Sequence, residues 1–139
     1  IRWIPRQDSW EDIWREIEVM SKRSNDDWFD VRFNHLPSLQ FTEYDAAYQG
    51  EYKSHQDVFL DSGIDIQRKL SFVIQLSDPS DYEGGDLTFQ HVTYQPPAED
   101  LRVRGTVIFF PSLVYHQLNP VTRGLRYSLV GWWEGPAWR

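Results

Sequence analysis

The chain has 139 residues, enough for one sizeable core and too few for two. Its formal net charge of −7 argues against a broad electrostatic grip on nucleic acid or an anionic membrane, and no apolar run is long enough to span a bilayer. With no cysteine there is neither a disulfide scaffold nor a thiolate metal site, so a metal here must be held by histidine and carboxylate.

No leader pattern opens the chain, which points to the cytoplasm, and a start at Ile1 rather than Met is expected of a trimmed product. Ile1 to Pro5 reads as an extended lead-in. Ser9-Trp-Glu-Asp12 matches a capping box with Ser9 as N-cap, and Trp10, Ile13, Trp14, Ile17 and Met20 recur at helical spacing. This predicts one amphipathic helix over about 9–22, its aromatic stripe packed on a sheet. Ser24 to Asp27 is a polar break; Trp28–Asn34 and Leu39–Tyr44 read as extended. The turn Asp45 to Gly50 predicts a hairpin between Leu39–Tyr44 and Glu51–Asp57. Val58–Gln67 is a loop, Arg68–Leu76 a strand, and Asp78 to Gly85 a turn. Its acidic residues are not spaced as an EF-hand, so Gly84-Gly85 is read as a plain turn. Asp86–Phe89, Val92–Tyr94, Gly105–Phe110, Val114–Leu118 and Leu125–Trp133 complete the strands. Seven Trp, seven Tyr and eight Phe suit pleated faces packed on each other, or a sugar-binding surface. Many short strands after one leading helix predict a mainly β domain, a jelly roll, spanning 1–139 with its barrel over about 39–133.

Within Tyr52-Lys-Ser-His55-Gln-Asp57, a strand would point His55 and Asp57 to the same face. The chain has only four histidines, and His116 follows Phe109-Phe-Pro-Ser112, a β-rich run with a turn. A His-X-Asp pair plus one distant histidine is the 2-His-1-carboxylate facial triad, which leaves positions open on non-haem Fe(II). His35 and His91 lack a carboxylate at ligand spacing and read as ordinary residues. Beyond His116, Arg126 and Ser128 share one strand face and offer a guanidinium fork and a hydroxyl to a single carboxylate.

Tyr48 to Asp57, Arg68 to Leu87 and Gly105 to Trp133 together resemble the Fe(II)/2-oxoglutarate-dependent dioxygenases of the prolyl 4-hydroxylase-like branch. That resemblance implies a double-stranded β-helix, with His55, Asp57 and His116 as catalytic iron ligands and with 2-oxoglutarate and O₂ as co-substrates. Arg126 is then the partner of the remote 2-oxoglutarate carboxylate, beside Ser128. A tyrosine from the strand before the metal pair joins them in the family. The loop Asp45–Gly50 is about two residues longer here, so Tyr44 and Tyr48 compete, and Tyr44 is preferred for its place at a strand end.

The implied reaction hydroxylates a C–H bond and releases succinate and CO₂. Halogenating relatives lose the carboxylate that this chain keeps as Asp57. A peptidyl proline is the leading substrate; a free amino acid or other small molecule is the alternative, because collagen-type members commonly carry lysine where this chain has Arg126. Val58–Gln67 is read as a substrate lid and Asp86 as a brace behind the site. Trp132, Trp133 and Trp138 are read as packing residues. A cupin-like or lectin-like binding module would explain the aromatics but not Arg126-X-Ser128. The expected partners are thus a peptide or small molecule, not nucleic acid or membrane.

Overall fold

A computed structural model describes residues 1–59 and 65–138, and its core is two antiparallel sheets facing one another. The larger sheet has the order β1 (Arg2–Pro5), β2 (Ser38–Asp45), β9 (Val121–Pro136), β4 (Ile66–Gln75), β7 (Val107–Pro111), with β5 (Tyr82–Gly84) paired to the start of β9. The smaller has β3 (Tyr52–His55), β8 (His116–Leu118) and β6 (Leu87–Phe89). No helix of the described residues is long and apolar enough to cross a membrane.

Strand alternation divides the apolar side chains of the one domain between the two faces of the large sheet. Leu70 and Phe72 of β4, with Leu129 and Trp133 of β9, face outward and are covered by Trp14 and Ile17 of helix α1 (Glu11–Ser24). Val73, Ile108, Phe110 and Phe89 face inward between the sheets. Along β9 the inward positions are therefore Arg126, Ser128, Val130 and Trp132. Gly131, between two of them, is required by packing: a Cβ there would lie 2.2 Å from Phe72 Cζ.

The helix differs from expectation at both ends. Residues 8–10 form a 3-10 turn, so Ser9 caps nothing and the N-cap position falls on Trp10, without a side-chain hydrogen bond. Trp10 and Ile13 are more than a third exposed, and the buried stripe is Trp14, Ile17 and Ser21. At the other end Trp28–Asn34 is not a strand. Asn25 holds both the amide and the carbonyl of Val31 at 2.9 Å, and a π-turn over Asn25–Phe29 ends at Asp30 with φ 52°. The segment joins β9 at its end, where His35 forms a bridge with Glu134 and the Asn34 amide donates to the Glu134 carbonyl at 2.9 Å.

The expected hairpin is absent as well. β2 pairs with β1 and β9, whereas β3 pairs with β8 in the other sheet. Asp45 accepts from the Ala47 amide at 2.8 Å and caps a 3-10 turn over Ala46–Tyr48, which carries the chain between sheets. Val92–Tyr94 is not a strand either: the backbone turns at His91, with φ 59°, and the Gln95 side chain folds back onto both backbone groups of Phe89. Conversely, Tyr82–Gly84, read as a turn, is a short strand.

Candidate active site

His55 ends β3 and pairs in register with His116 at the start of β8, so two strands of the small sheet bring the imidazoles side by side, ring centroids 4.3 Å apart. Asp57 lies just past β3 rather than on it. Its amide donates to the Ser112 carbonyl at 3.0 Å, which turns its side chain between the two rings. The Asp57 Oδ1 stands 3.3 Å from His55 Nε2 and 3.4 Å from His116 Nε2. The three candidate ligand atoms lie within 4.8 Å of one another.

Each histidine Nδ1 sits on the carbonyl two residues earlier, Lys53 at 2.7 Å and Val114 at 2.9 Å. A carbonyl only accepts, so each Nδ1 carries the hydrogen and each Nε2 lone pair faces Asp57. Three lone-pair donors converging on one point repel unless a cation or proton lies among them, and this donor set suits a divalent metal that takes imidazole and carboxylate. Burial by itself would raise the Asp57 pKa, but the two imidazoles, which favour the carboxylate whenever a proton stands on an Nε2 in place of the metal, and the Ser71 hydroxyl outweigh it and hold the carboxyl well below the usual carboxylate range.

Sequence reasoning missed two residues that build this centre. Ser71 Oγ donates to Asp57 Oδ2 at 2.6 Å and shares a 2.9 Å hydrogen bond with Ser112 Oγ. Both serines are fully buried. Ser71 is an inward polar residue within the apolar run Leu70–Ile74 of β4, and that break in pattern was the available signal. Asp86 does not reach the triad. It pairs with Arg102 at 2.9 Å; Arg102 stacks over Tyr82, and Tyr82 helps enclose Arg126.

Arg126 is 3% exposed, and burial pushes its pKa down despite the nearby phenols of Tyr82 and Tyr44. Its Nε and the Ser128 Oγ are buried without hydrogen-bond partners. Gly85, at φ 66°, allows this packing: a Cβ there would press on Val121 at 2.9 Å and on the Arg126 stem at 3.3 Å. A buried guanidinium with an unsatisfied donor is arranged for an anion. Tyr44, the β2 residue opposite Arg126, has its ring 5.6 Å from the Arg126 Cζ, while Tyr48 is 65% exposed and lies outside this cavity.

Triad, Arg126, Ser128 and Tyr44 all line one cavity of about 410 Å³. Trp132 also lines it, against the expectation that it is a packing residue. Trp133 is buried in the helix-side core, and Trp138 packs under Lys69 with its indole N–H on the Arg68 carbonyl. His35 and His91 lie away from the site, His91 against Tyr115. Of the expected lid, residues 60–64 lie outside the described residues, and Ile66 and Gln67 already belong to β4.

The family model of the 2OG-Fe(II) oxygenase superfamily matches residues 39–134. A PKHD-type hydroxylase of Picosynechococcus is 35% identical over 106 residues, covering 73% of this chain and 44% of the relative. A PKHD-type hydroxylase of Synechococcus strain CC9902 is 46% identical over 68 residues, 49% of this chain and 30% of that one. The chain thus spans less than half the length of these curated relatives. Among solved structures, a Pseudomonas putida prolyl-4-hydroxylase superposes with TM-score 0.69 at 25% identity, over 96% of this chain and 70% of its own. The viral collagen prolyl hydroxylase of Paramecium bursaria Chlorella virus-1, in its complex with 2OG, gives TM-score 0.75 at 17% identity, over 98% and 79%, and supports the jelly-roll fold. With its facing sheets and its His-Asp-His cluster, the chain belongs to the 2OG-Fe(II) oxygenase superfamily, in the prolyl 4-hydroxylase-like branch whose members use Fe(II), 2-oxoglutarate and O₂.

Proposed function

We propose that this stretch is one catalytic domain that hydroxylates a C–H bond of a peptidyl proline, with 2-oxoglutarate and O₂ consumed and succinate and CO₂ released. His55, Asp57 and His116 hold Fe(II), which when bound supplies the oxidising chemistry. The observation that carries the reading is the pairing, in one cavity, of that lone-pair cluster with a buried, unsatisfied Arg126. Arg126, Ser128 and Tyr44 bind and orient the remote carboxylate of 2-oxoglutarate, because an unpaired anion at that depth would cost several kcal/mol. Ser71 and Ser112 hold Asp57 ionised and fixed in rotamer. The apolar walls Val73, Leu87, Phe110 and Leu118 keep water from the reacting centre. Proline as the target is supported by the prolyl hydroxylases among the structural relatives.

Anaerobic titration of the Fe(II)-loaded protein with 2-oxoglutarate tests the reading through the weak visible charge-transfer band of the chelate. The band is expected in the wild type and absent in His55→Ala. Iron binding without any band would refute the co-substrate assignment.

A further inference from the structure

The charges of the loaded site leave one cation over. Fe(II), ionised Asp57, the 2-oxoglutarate dianion and Arg126 cancel one another. Arg68 lines the same cavity, and among the described residues no carboxylate forms an ion pair with it. Glu134, its register partner on β9, is not joined to it in one. Instead the Arg68 Cζ stands 4.0 Å from the centroid of the Trp132 ring and 5.8 Å from that of Phe59. Stacking of this kind fixes the plane of the guanidinium and leaves its edge N–H donors unused. Trp3 of β1 adds a second indole, 6.0 Å from Trp132.

Strand β9 measures how the cavity is shared. Arg126 and Trp132 are six residues apart on one face, about 20 Å along the strand. Five-carbon 2-oxoglutarate, tied at one end to Arg126 and chelating the iron at the other, covers only the inner part of that length. The outer part, walled by Trp132, Trp3, Phe59 and Arg68, is left for the molecule to be oxidised.

We infer that the substrate carries a carboxylate close to the carbon that is hydroxylated, held by the edge of Arg68 while the apolar part lies against Trp132. The inference rests on the 2-oxoglutarate reading of the inner site and deepens it. Two sources share the chemistry: the free α-carboxylate of an amino acid or C-terminal residue, and an acidic side chain beside the target in a peptide. A neutral internal segment of peptide would leave Arg68 desolvated and without an anion.

The test uses protein loaded anaerobically with Fe(II) and 2-oxoglutarate, with binding read by tryptophan fluorescence and by the shift of the charge-transfer band. The probes are N-acetyl amino acids, proline among them, each against its own amide, and capped Pro-Glu against capped Pro-Gln. At least one carboxylate is expected to bind roughly tenfold more tightly than its neutral twin, as one charge-assisted bidentate contact allows. The preferred pair identifies the source. That preference should vanish in Arg68→Gln, return in part in Arg68→Lys, and fall with added salt. No carboxylate preference in the wild type, or a preference that survives Arg68→Gln, overturns the inference. Failure of the underlying reading looks different, since the charge-transfer band then never forms on adding 2-oxoglutarate.

Discussion

Replacing Arg126 by Met keeps the aliphatic stem and removes the charge, and the outcome depends on what the protein has bound. Without co-substrate, Arg126 is a 3% exposed cation whose Nε is unsatisfied, with only tyrosine phenols and rings for company. Such a group is destabilising, and substituting an apolar side chain of similar volume commonly gains about 1–2 kcal/mol. For a domain of this size that corresponds to a rise in Tm of about 3–8 °C. With Fe(II) and 2-oxoglutarate at one hundred times its Kd, the wild type should gain about 2.7 kcal/mol by mass action, and Arg126→Met should gain nothing. Paired anaerobic melts with and without 2-oxoglutarate therefore cross: the variant melts higher alone, the wild type higher when loaded. A variant less stable than wild type in the absence of 2-oxoglutarate would show that Arg126 is a structural residue, and a retained ligand shift would show that the anion binds elsewhere.

Ser71→Ala removes the donor to Asp57 Oδ2 and should weaken Fe(II) affinity by about tenfold or more in a competitive metal titration, with little effect on 2-oxoglutarate affinity once the metal saturates. Tyr44→Phe should weaken 2-oxoglutarate binding several-fold in the charge-transfer assay, whereas Tyr48→Phe should not, because Tyr48 is outside the cavity; equal effects would refute the choice between them. Gly131→Ala drives a methyl into the Phe72 ring and should cost about 1–3 kcal/mol in chemical denaturation. Trp14→Ala, which empties the space under α1, should cost about 3–5 kcal/mol in the same assay.

How well residues could be read in advance follows from whether their partners are near in sequence or set by a motif. The triad and the Arg126-X-Ser128 pair were legible because the chemistry dictates both residue type and spacing. Strands β2, β4, β7 and β9 were legible because burial on one or both faces writes an apolar or alternating pattern. Trp28–Asn34 was not, since its aromatics suggested a strand while a single side chain just before it, Asn25, clamps Val31 and ends the run without any motif to announce it. The false hairpin has a similar cause: a turn with a glycine indicates a reversal, but the sheet in which the next strand pairs is decided by long-range contacts. Trp132 was misjudged because its place depends on the parity of β9. Counted inward from Arg126, position 132 must face the cavity and position 133 the helix, and adjacent tryptophans cannot share one role.

That parity has a consequence for how the site is assembled. The two histidines belong to the small sheet, on β3 and β8, while Arg126, Ser128 and Ser71 belong to the large one, on β9 and β4. Asp57 is bonded to both, through the histidines on one side and Ser71 and the Ser112 carbonyl on the other. The large sheet presents no ligand of its own but holds Asp57 through Ser71 and the Ser112 carbonyl, so a metal that binds the triad is coupled to the packing of the two sheets through Asp57. Asp57→Asn tests that coupling. It keeps the shape and removes the charge, and its amide can donate to an Nε2 lone pair. The metal-free protein should therefore lose little in a melt, while the stabilisation that added Fe(II) gives the wild type should disappear. A variant that unfolds without metal, or one still stabilised by it, would mean that the sheets are held and the metal bound independently of this residue.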